Sequence, residues 1–257
     1  MLPYLIEVFI FIFGLCIGSF LNVCIYRLPA SKSIVHPRSM CSSCGTLIAS
    51  YDNIPIISYL WLRGRCRHCR TKISLRYPIV ELLCGLFALG AYLKFDLTIE
   101  ALIYFLFFAA LMVVTFIDLD HRIIPDVITL PGIPICFAAG FALPTITYKD
   151  ALLGILSGGG SLFLVAWTYS LITKKEGMGG GDIKLLAMIG AIVGWKGVLF
   201  TIFVASLVGT LAGLAVMLQS RKGLKLAVPF GPFLSIGSIT YIFFGTPLIA
   251  WYFNLLR

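Results

Sequence analysis

The sequence predicts an all-α polytopic membrane protein of about eight transmembrane helices, and three observations carry that prediction. Of its 257 residues 60% are hydrophobic and 12% charged, with a mean hydropathy of +1.00, far from the composition of a water-soluble domain. Apolar runs long enough to cross a hydrocarbon core as helices recur along the whole chain. Lys and Arg crowd into alternate connections between those runs, as they do where positive charge is retained on the cytoplasmic side.

The apolar runs lie near 4–26, 78–93, 99–117, 127–144, 151–173, 183–195, 197–218 and 230–253. The first contains Glu7, lacks a basic leader and is too long for a removable signal core, so it reads as a retained span. The sixth is short, and Trp195, Lys196 and Gly197 beside it mark a tight turn, which predicts that spans six and seven form a helical hairpin. Gly158, Gly159 and Gly160 fall inside span five, where small residues permit close helix packing. The organisation expected is a first span over 1–26, a loop over 27–77 and a seven-span core over 78–257.

Sixteen of the twenty Lys and Arg residues fall on one side of this layout, in the 27–77 loop, in the segments at 118–126, 174–182 and 219–229, and at Lys184 just past the third of these. The other four are Lys94, Lys149, Lys196 and Arg257. An even number of spans then puts both termini outside and the basic loops in the cytoplasm. The net charge of +9 is explained by this orientation and by contact with anionic membrane lipid, without nucleic acid as a partner.

The cytoplasmic loop holds Cys41-Ser42-Ser43-Cys44 and Cys66-Arg67-His68-Cys69, with 21 residues between the pairs. Two CxxC turns each present two sulfurs from one knuckle, and two knuckles close a tetrahedron, so the spacing points to structural zinc on Cys41, Cys44, Cys66 and Cys69. A reducing compartment disfavours disulfides, although a redox dithiol or unmetallated thiols fit the same spacing. His68 reads as a bystander. A loop of this size builds little core, so a metal would supply the folding energy that burial cannot. Cys16, Cys24, Cys84 and Cys136 lie in apolar stretches and read as ordinary buried thiols.

Span three ends in Asp118, Asp120 and, past Pro125, Asp126; the next acid on that side is Asp182, which follows Gly179-Gly180-Gly181 and starts span six. A carboxylate at bilayer depth is costly and requires water, a partner or a function. If Asp118 and Asp182 approach each other they share one proton, a state suited to peptide hydrolysis: the ionised member takes a proton from attacking water and the protonated member donates to the developing oxyanion. Gly179 and Gly181 would let a substrate strand come close. Spacing alone leaves this open beside helix capping by Asp126 and Asp182, and beside ion or proton translocation. Lys184, just past Asp182, is placed to lower that acid's pKa or to meet lipid phosphate, with lipid or helix-end pairing the favoured reading.

The joint order of these segments resembles the prepilin peptidases of type IV pilus and type II secretion systems. Gly18-Ser19-Phe20-Leu21-Asn22-Val23 with Arg27-Leu28-Pro29 is similar to the family's first-span signature, the double CxxC loop to its cytoplasmic zinc insert, and Tyr77-Pro78-Ile79-Val80-Glu81 to its second-span entry. Ile117-Asp118 with Ile124-Pro125-Asp126, and Gly179-Gly180-Gly181-Asp182, resemble its two aspartate motifs. The resemblance implies a bacterial inner-membrane aspartyl endopeptidase with Asp118 and Asp182 catalytic and Asp120 and Asp126 supporting. It implies cleavage after Gly in the basic leader of a prepilin or pseudopilin, whose apolar helix lies in the bilayer. It further implies N-methylation of the new terminus from S-adenosylmethionine, associated with the loop border at Gly64 and Arg65. The readings from other classes are an ion- or proton-coupled transporter using Asp118, Asp126 and Asp182, and a non-catalytic secretion-assembly scaffold.

Overall fold

The computed structural model describes residues 2–174, 179–220 and 229–255. Eight α-helices are formed among them: α1 (Leu2–Arg27), α2 (Ile57–Trp61), α3 (Arg76–Phe95), α4 (Ile99–His121), α5 (Asp126–Gly140), α6 (Tyr148–Thr173), α7 (Gly180–Ser220) and α8 (Gly231–Leu255). By length and composition α1, α3, α4, α6, α7 and α8 are long and apolar enough to cross a membrane. At 41 residues, α7 would run about 60 Å if straight, twice a hydrocarbon core of about 30 Å. It does not run straight, because Gly194 adopts φ 68° and ψ 176° and breaks the helix. Gly190 before the break faces Val198 after it. Split at Gly194, α7 covers the apolar runs expected for spans six and seven, so each of the eight expected runs has its helix.

Two boundaries differ from the sequence expectation. The break falls at Gly194, ahead of the Trp195–Gly197 turn, because the backbone there needs a positive φ that glycine adopts without steric cost. Helix α5 ends at Gly140, four residues short of the expected 144, and contains Pro131 and Pro134. Its 15 residues span about 22 Å, less than the hydrocarbon thickness. Lys175, Arg221, Lys222, Lys225 and Arg257, which contribute to the expected charge bias, lie outside the described residues.

The chain divides into two compact units, Met1–Val113 and Val114–Arg257. In the first, α1 packs on α3 with backbones in close approach: a Cβ added at Gly14 would lie 2.7 Å from the Ala88 methyl, and one at Gly18 would lie 2.7 Å from the Glu81 Cα. Asn22 on α1 donates to the Tyr77 carbonyl at the start of α3 (3.1 Å). Arg27 ends α1 and donates to the carbonyls of Ser33 and Pro37 (2.9 and 2.7 Å), which folds the first loop segment back onto the helix. Glu81 on α3 accepts from the Ile56 N–H (2.8 Å). The loop is therefore tied to both helices by groups within or next to the membrane spans.

In the second unit α6 packs against the first arm of α7 so closely that Gly154 and Gly190 face each other backbone to backbone. Gly158 meets the Leu186 carbonyl and Gly159 the Ala187 methyl, whereas Gly160 faces open space. Between apolar helices in lipid no water is displaced, so such contact is the main source of association. Side chains on the first arm of α7, Leu185, Leu186, Met188, Ile189 and Ile192, are fully buried. Thr147 caps α6 through a reciprocal box with Asp150. Large apolar side chains on the outer faces, such as Phe9, Leu156, Phe203 and Trp251, stay exposed, as lipid-facing positions do.

Candidate active site and metal centre

The two cysteine pairs occupy knuckles of the same design. In the first, the Cys41 N–H donates to the Thr46 carbonyl (2.9 Å) and the Gly45 N–H to the Cys41 carbonyl (2.9 Å). In the second, the Cys66 N–H donates to Thr71 (2.9 Å) and the Arg70 N–H to Cys66 (3.1 Å). The residue after each second cysteine, Gly45 or Arg70, has a positive φ, and each knuckle is flanked by a single antiparallel bridge, Met40 with Leu47 and Arg65 with Lys72. Cys44 and Cys69 each contact the hydroxyl of the threonine two residues on, Thr46 at 3.4 Å and Thr71 at 3.2 Å.

The four sulfurs lie within 4.8 Å of one another, and those of Cys41 and Cys69 are 3.8 Å apart. A tetrahedron with zinc–sulfur bonds of about 2.3 Å has edges of about 3.8 Å, so a metal ion fits this set with little rearrangement. The hydrogen bond with Thr71 pulls the Cys69 thiol down to about 6, and that with Thr46 lowers Cys44; both favour the thiolate that a metal requires. Arg67, between the second pair, forks onto Asp52 (Nε to Oδ2, 2.7 Å) and stacks over the Tyr51 ring. Gly64 is buried with φ 65°, and a Cβ there would collide with the Tyr59 ring; neighbouring Arg65 is exposed. Beside the first knuckle is a cavity of about 300 Å³, with Arg27, Arg38, Ser39, Ser50 and Asn53 offering polar groups and Ile34, Val35 and Ile48 an apolar wall.

The carboxylates belong to the second unit. Asp118, in the last turn of α4, is 5% exposed, while Asp120 is exposed. Asp182 is half-buried in the first turn of α7, and its Oδ1 is enclosed without a hydrogen-bond partner among the described residues. Ile124 connects the two neighbourhoods. A Cβ added at Gly181 would lie 2.8 Å from the Ile124 Cβ, and one added at Gly231 would lie 3.3 Å from the Ile124 Cδ1 and 2.7 Å from the Asp118 Oδ2. Gly179 lies one turn ahead of Asp182, beside its carboxyl.

Asp126 is exposed at the start of α5 and pairs with Lys184 (2.7 and 2.8 Å). Lys184 therefore serves a helix end rather than the adjacent Asp182, and it joins the N-termini of α5 and α7. Gly231 at the head of α8 is a participant that the sequence reading did not single out. Its N–H donates to the Asp118 Oδ2 at 3.1 Å. Nothing in the residue types marks a backbone donor, although Pro229-Phe230-Gly231-Pro232 is a recognisable helix-start signal.

These features define a multi-pass membrane protein with four cysteines placed to hold a metal ion in one unit and a carboxylate pair brought together about Ile124 in the other. Residues 12–95 match the Bacterial Peptidase A24 N-terminal domain, and residues 105–214 match the Type IV leader peptidase family. The prepilin leader peptidase/N-methyltransferase of Aeromonas hydrophila is 36% identical over 279 residues, covering 98% of this chain and 95% of the relative. That of Pseudomonas putida is 34% identical over 267 residues, covering 95% and 93%. That of Myxococcus xanthus (strain DK1622) is 42% identical over 218 residues, covering 85% and 65%. The chain belongs to the type IV leader peptidase family, a family of bacterial membrane aspartic peptidases. No solved structure matches it.

Proposed function

We propose that this protein removes the leader from type IV prepilins or pseudopilins after Gly and methylates the new N-terminus, with Asp118 and Asp182 as the catalytic pair. The observation that carries the reading is the convergence of the two acids about Ile124 at the ends of membrane helices. Two carboxyls in one low-dielectric site hold a single proton. In the first step water oxygen bonds to the scissile carbonyl carbon; one water proton passes to the ionised carboxylate, and the protonated partner gives its proton to the carbonyl oxygen. In the second the carbon–nitrogen bond breaks, the amine takes the proton held by the first carboxyl, and the second recovers its own from the diol. No metal is needed for this step. Asp120, Asp126, Gly179, Gly181 and Lys184 support it by setting the helix ends and leaving room for an extended strand.

Within the first unit we assign 27–77 as a zinc-binding loop between the first span and the seven-span core, with Cys41, Cys44, Cys66 and Cys69 as ligands. Zinc there closes the two knuckles on each other and stabilises the fold. Methyl transfer is assigned to the same loop, at the border formed by Gly64 and Arg65 and at the cavity beside the first knuckle. S-adenosylmethionine supplies the methyl group, and the cavity's guanidinium, hydroxyl and amide groups suit its carboxylate and adenine. The distribution of Lys and Arg orients the loop and the acids to the cytoplasm and both termini to the periplasm, with basic side chains meeting anionic lipid. The family assignment leaves the transporter reading without support.

A mass spectrum of a prepilin carrying a Gly-Phe junction, incubated with the purified protein, tests this function. Loss of the leader is expected with or without S-adenosylmethionine, and one added methyl on the new terminus only with it. An intact substrate under both conditions would overturn the reading.

A further inference from the structure

The start of α8 is built to present a single backbone donor. Pro232 has no N–H, and the N–H groups of Phe233 and Leu234 both go to the Phe230 carbonyl (3.0 and 3.2 Å). Of the first four positions of the helix, only Gly231 has an N–H that leaves the helix, and it ends on the Asp118 Oδ2. Gly231 is itself buried. A side chain there would displace the Asp118 carboxylate, since a Cβ would lie 2.7 Å from that same oxygen. Ser235 one turn on ties back to the Gly231 carbonyl (3.0 Å), and Ser238 to the Ser235 carbonyl (3.0 Å), so this end of α8 is braced from within. Asp182 has no such donor: its Oδ1 is enclosed and unpartnered among the described residues.

We propose that Gly231 is a positioning residue that divides the labour of the carboxyl pair, its N–H holding Asp118 as the ionised member that takes the water proton and leaving Asp182 as the member that carries and donates the proton. The inference rests on the reading of Asp118 and Asp182 as the catalytic pair. An N–H at a helix N-terminus, where the peptide dipoles also converge, favours a negative charge on its acceptor. An enclosed carboxyl oxygen without a donor favours the neutral acid. The two acids therefore occupy unequal surroundings before substrate arrives, and the water is activated on the Asp118 side.

The test compares prepilin cleavage by the full-length protein in lipid nanodiscs across two changes at one position. Gly231→Ala keeps the N–H and adds a methyl aimed at Asp118. Replacing the residue 231 amide by an ester, through incorporation of glycolic acid, deletes the hydrogen and adds no bulk. Both are expected to lower kcat at least tenfold while KM for the prepilin stays within twofold, with Gly213→Ala, whose Cβ meets nothing, unchanged. Thermal melting confirms that each protein is folded; should Gly231→Ala fail to fold, the ester alone decides. An ester variant with wild-type kcat, or with its loss confined to KM, overturns the assignment. If Asp118→Asn and Asp182→Asn still cleave, the carboxyl-pair reading itself fails; if both are inactive and the ester is fully active, only the role of Gly231 fails.

Discussion

Substituting Gly154 by alanine probes whether the α6–α7 contact sets the position of Asp182. The added Cβ would sit 2.1 Å from the Gly190 carbonyl oxygen and 2.8 Å from its carbonyl carbon. Ordinary carbon–oxygen contact is nearer 3.3 Å, roughly the separation of weak Cα–H···O contacts, so the shortfall is about 1 Å. Both partners are backbone, so no rotamer change relieves it and the helices must part. Gly190 lies eight residues beyond Asp182, about 12 Å along the helix, and the displacement is carried to the carboxyl. A misplacement of about 1 Å in a reacting group can cost about 100-fold in rate. In a nanodisc cleavage assay, kcat is expected to fall between about tenfold and 100-fold for Gly154→Ala, with metal content unchanged. Gly160→Ala in the same helix faces open space and should stay within twofold. Equal rates for the two variants would refute the argument.

Four other outcomes follow from the geometry. Elemental analysis should find about one zinc per chain, lost in a Cys41→Ser, Cys44→Ser double variant, with melting of the loop followed by limited proteolysis between residues 28 and 75. In metal-stripped protein Cys69 should alkylate with a midpoint near pH 6, because its depressed value keeps it thiolate above that pH and protonated below; Thr71→Val should move the midpoint upward. Breaking the Lys184–Asp126 pair, whose side chains are 35% and 56% exposed, removes a contact worth about 0–1 kcal/mol, so Asp126→Asn should keep cleavage within about fivefold and shift the melting temperature little. Arg38→Ala and Arg65→Ala should lower methylation of a pre-cleaved substrate while leaving leader removal within twofold.

Long apolar helices were legible because hydrocarbon thickness fixes a minimum length, which α1, α4, α6 and α8 meet with margin. The position of the α7 break was less so: Gly194 and Gly197 both flank Trp195, and only the backbone angles show which takes the positive φ. The early end of α5, where Gly140 lies near the Ala191 carbonyl and the Ala151 methyl, is a tertiary feature. The four-cysteine cluster was readable from CxxC spacing, since each knuckle is local and only their pairing is long-range. The acids were visible as types and positions, but spacing could not say that Ile124 connects their surroundings. Lys184 sits two residues from Asp182 in sequence and pairs with Asp126 in space, because successive helical residues point to different faces. The Gly231 donor belongs to the backbone, which every residue but proline possesses, so composition gave it no signal.

The proposed mechanism requires two carboxyl groups on separate helices to act as one unit on one water molecule. Cleavage of a Gly-Phe prepilin by Asp118→Asn, Asp182→Asn and the double variant, each verified as folded and zinc-loaded, measures this directly. Each single substitution is expected to abolish leader removal as completely as both together, while methylation of a pre-cleaved pilin persists. Substantial cleavage by either single variant would contradict it.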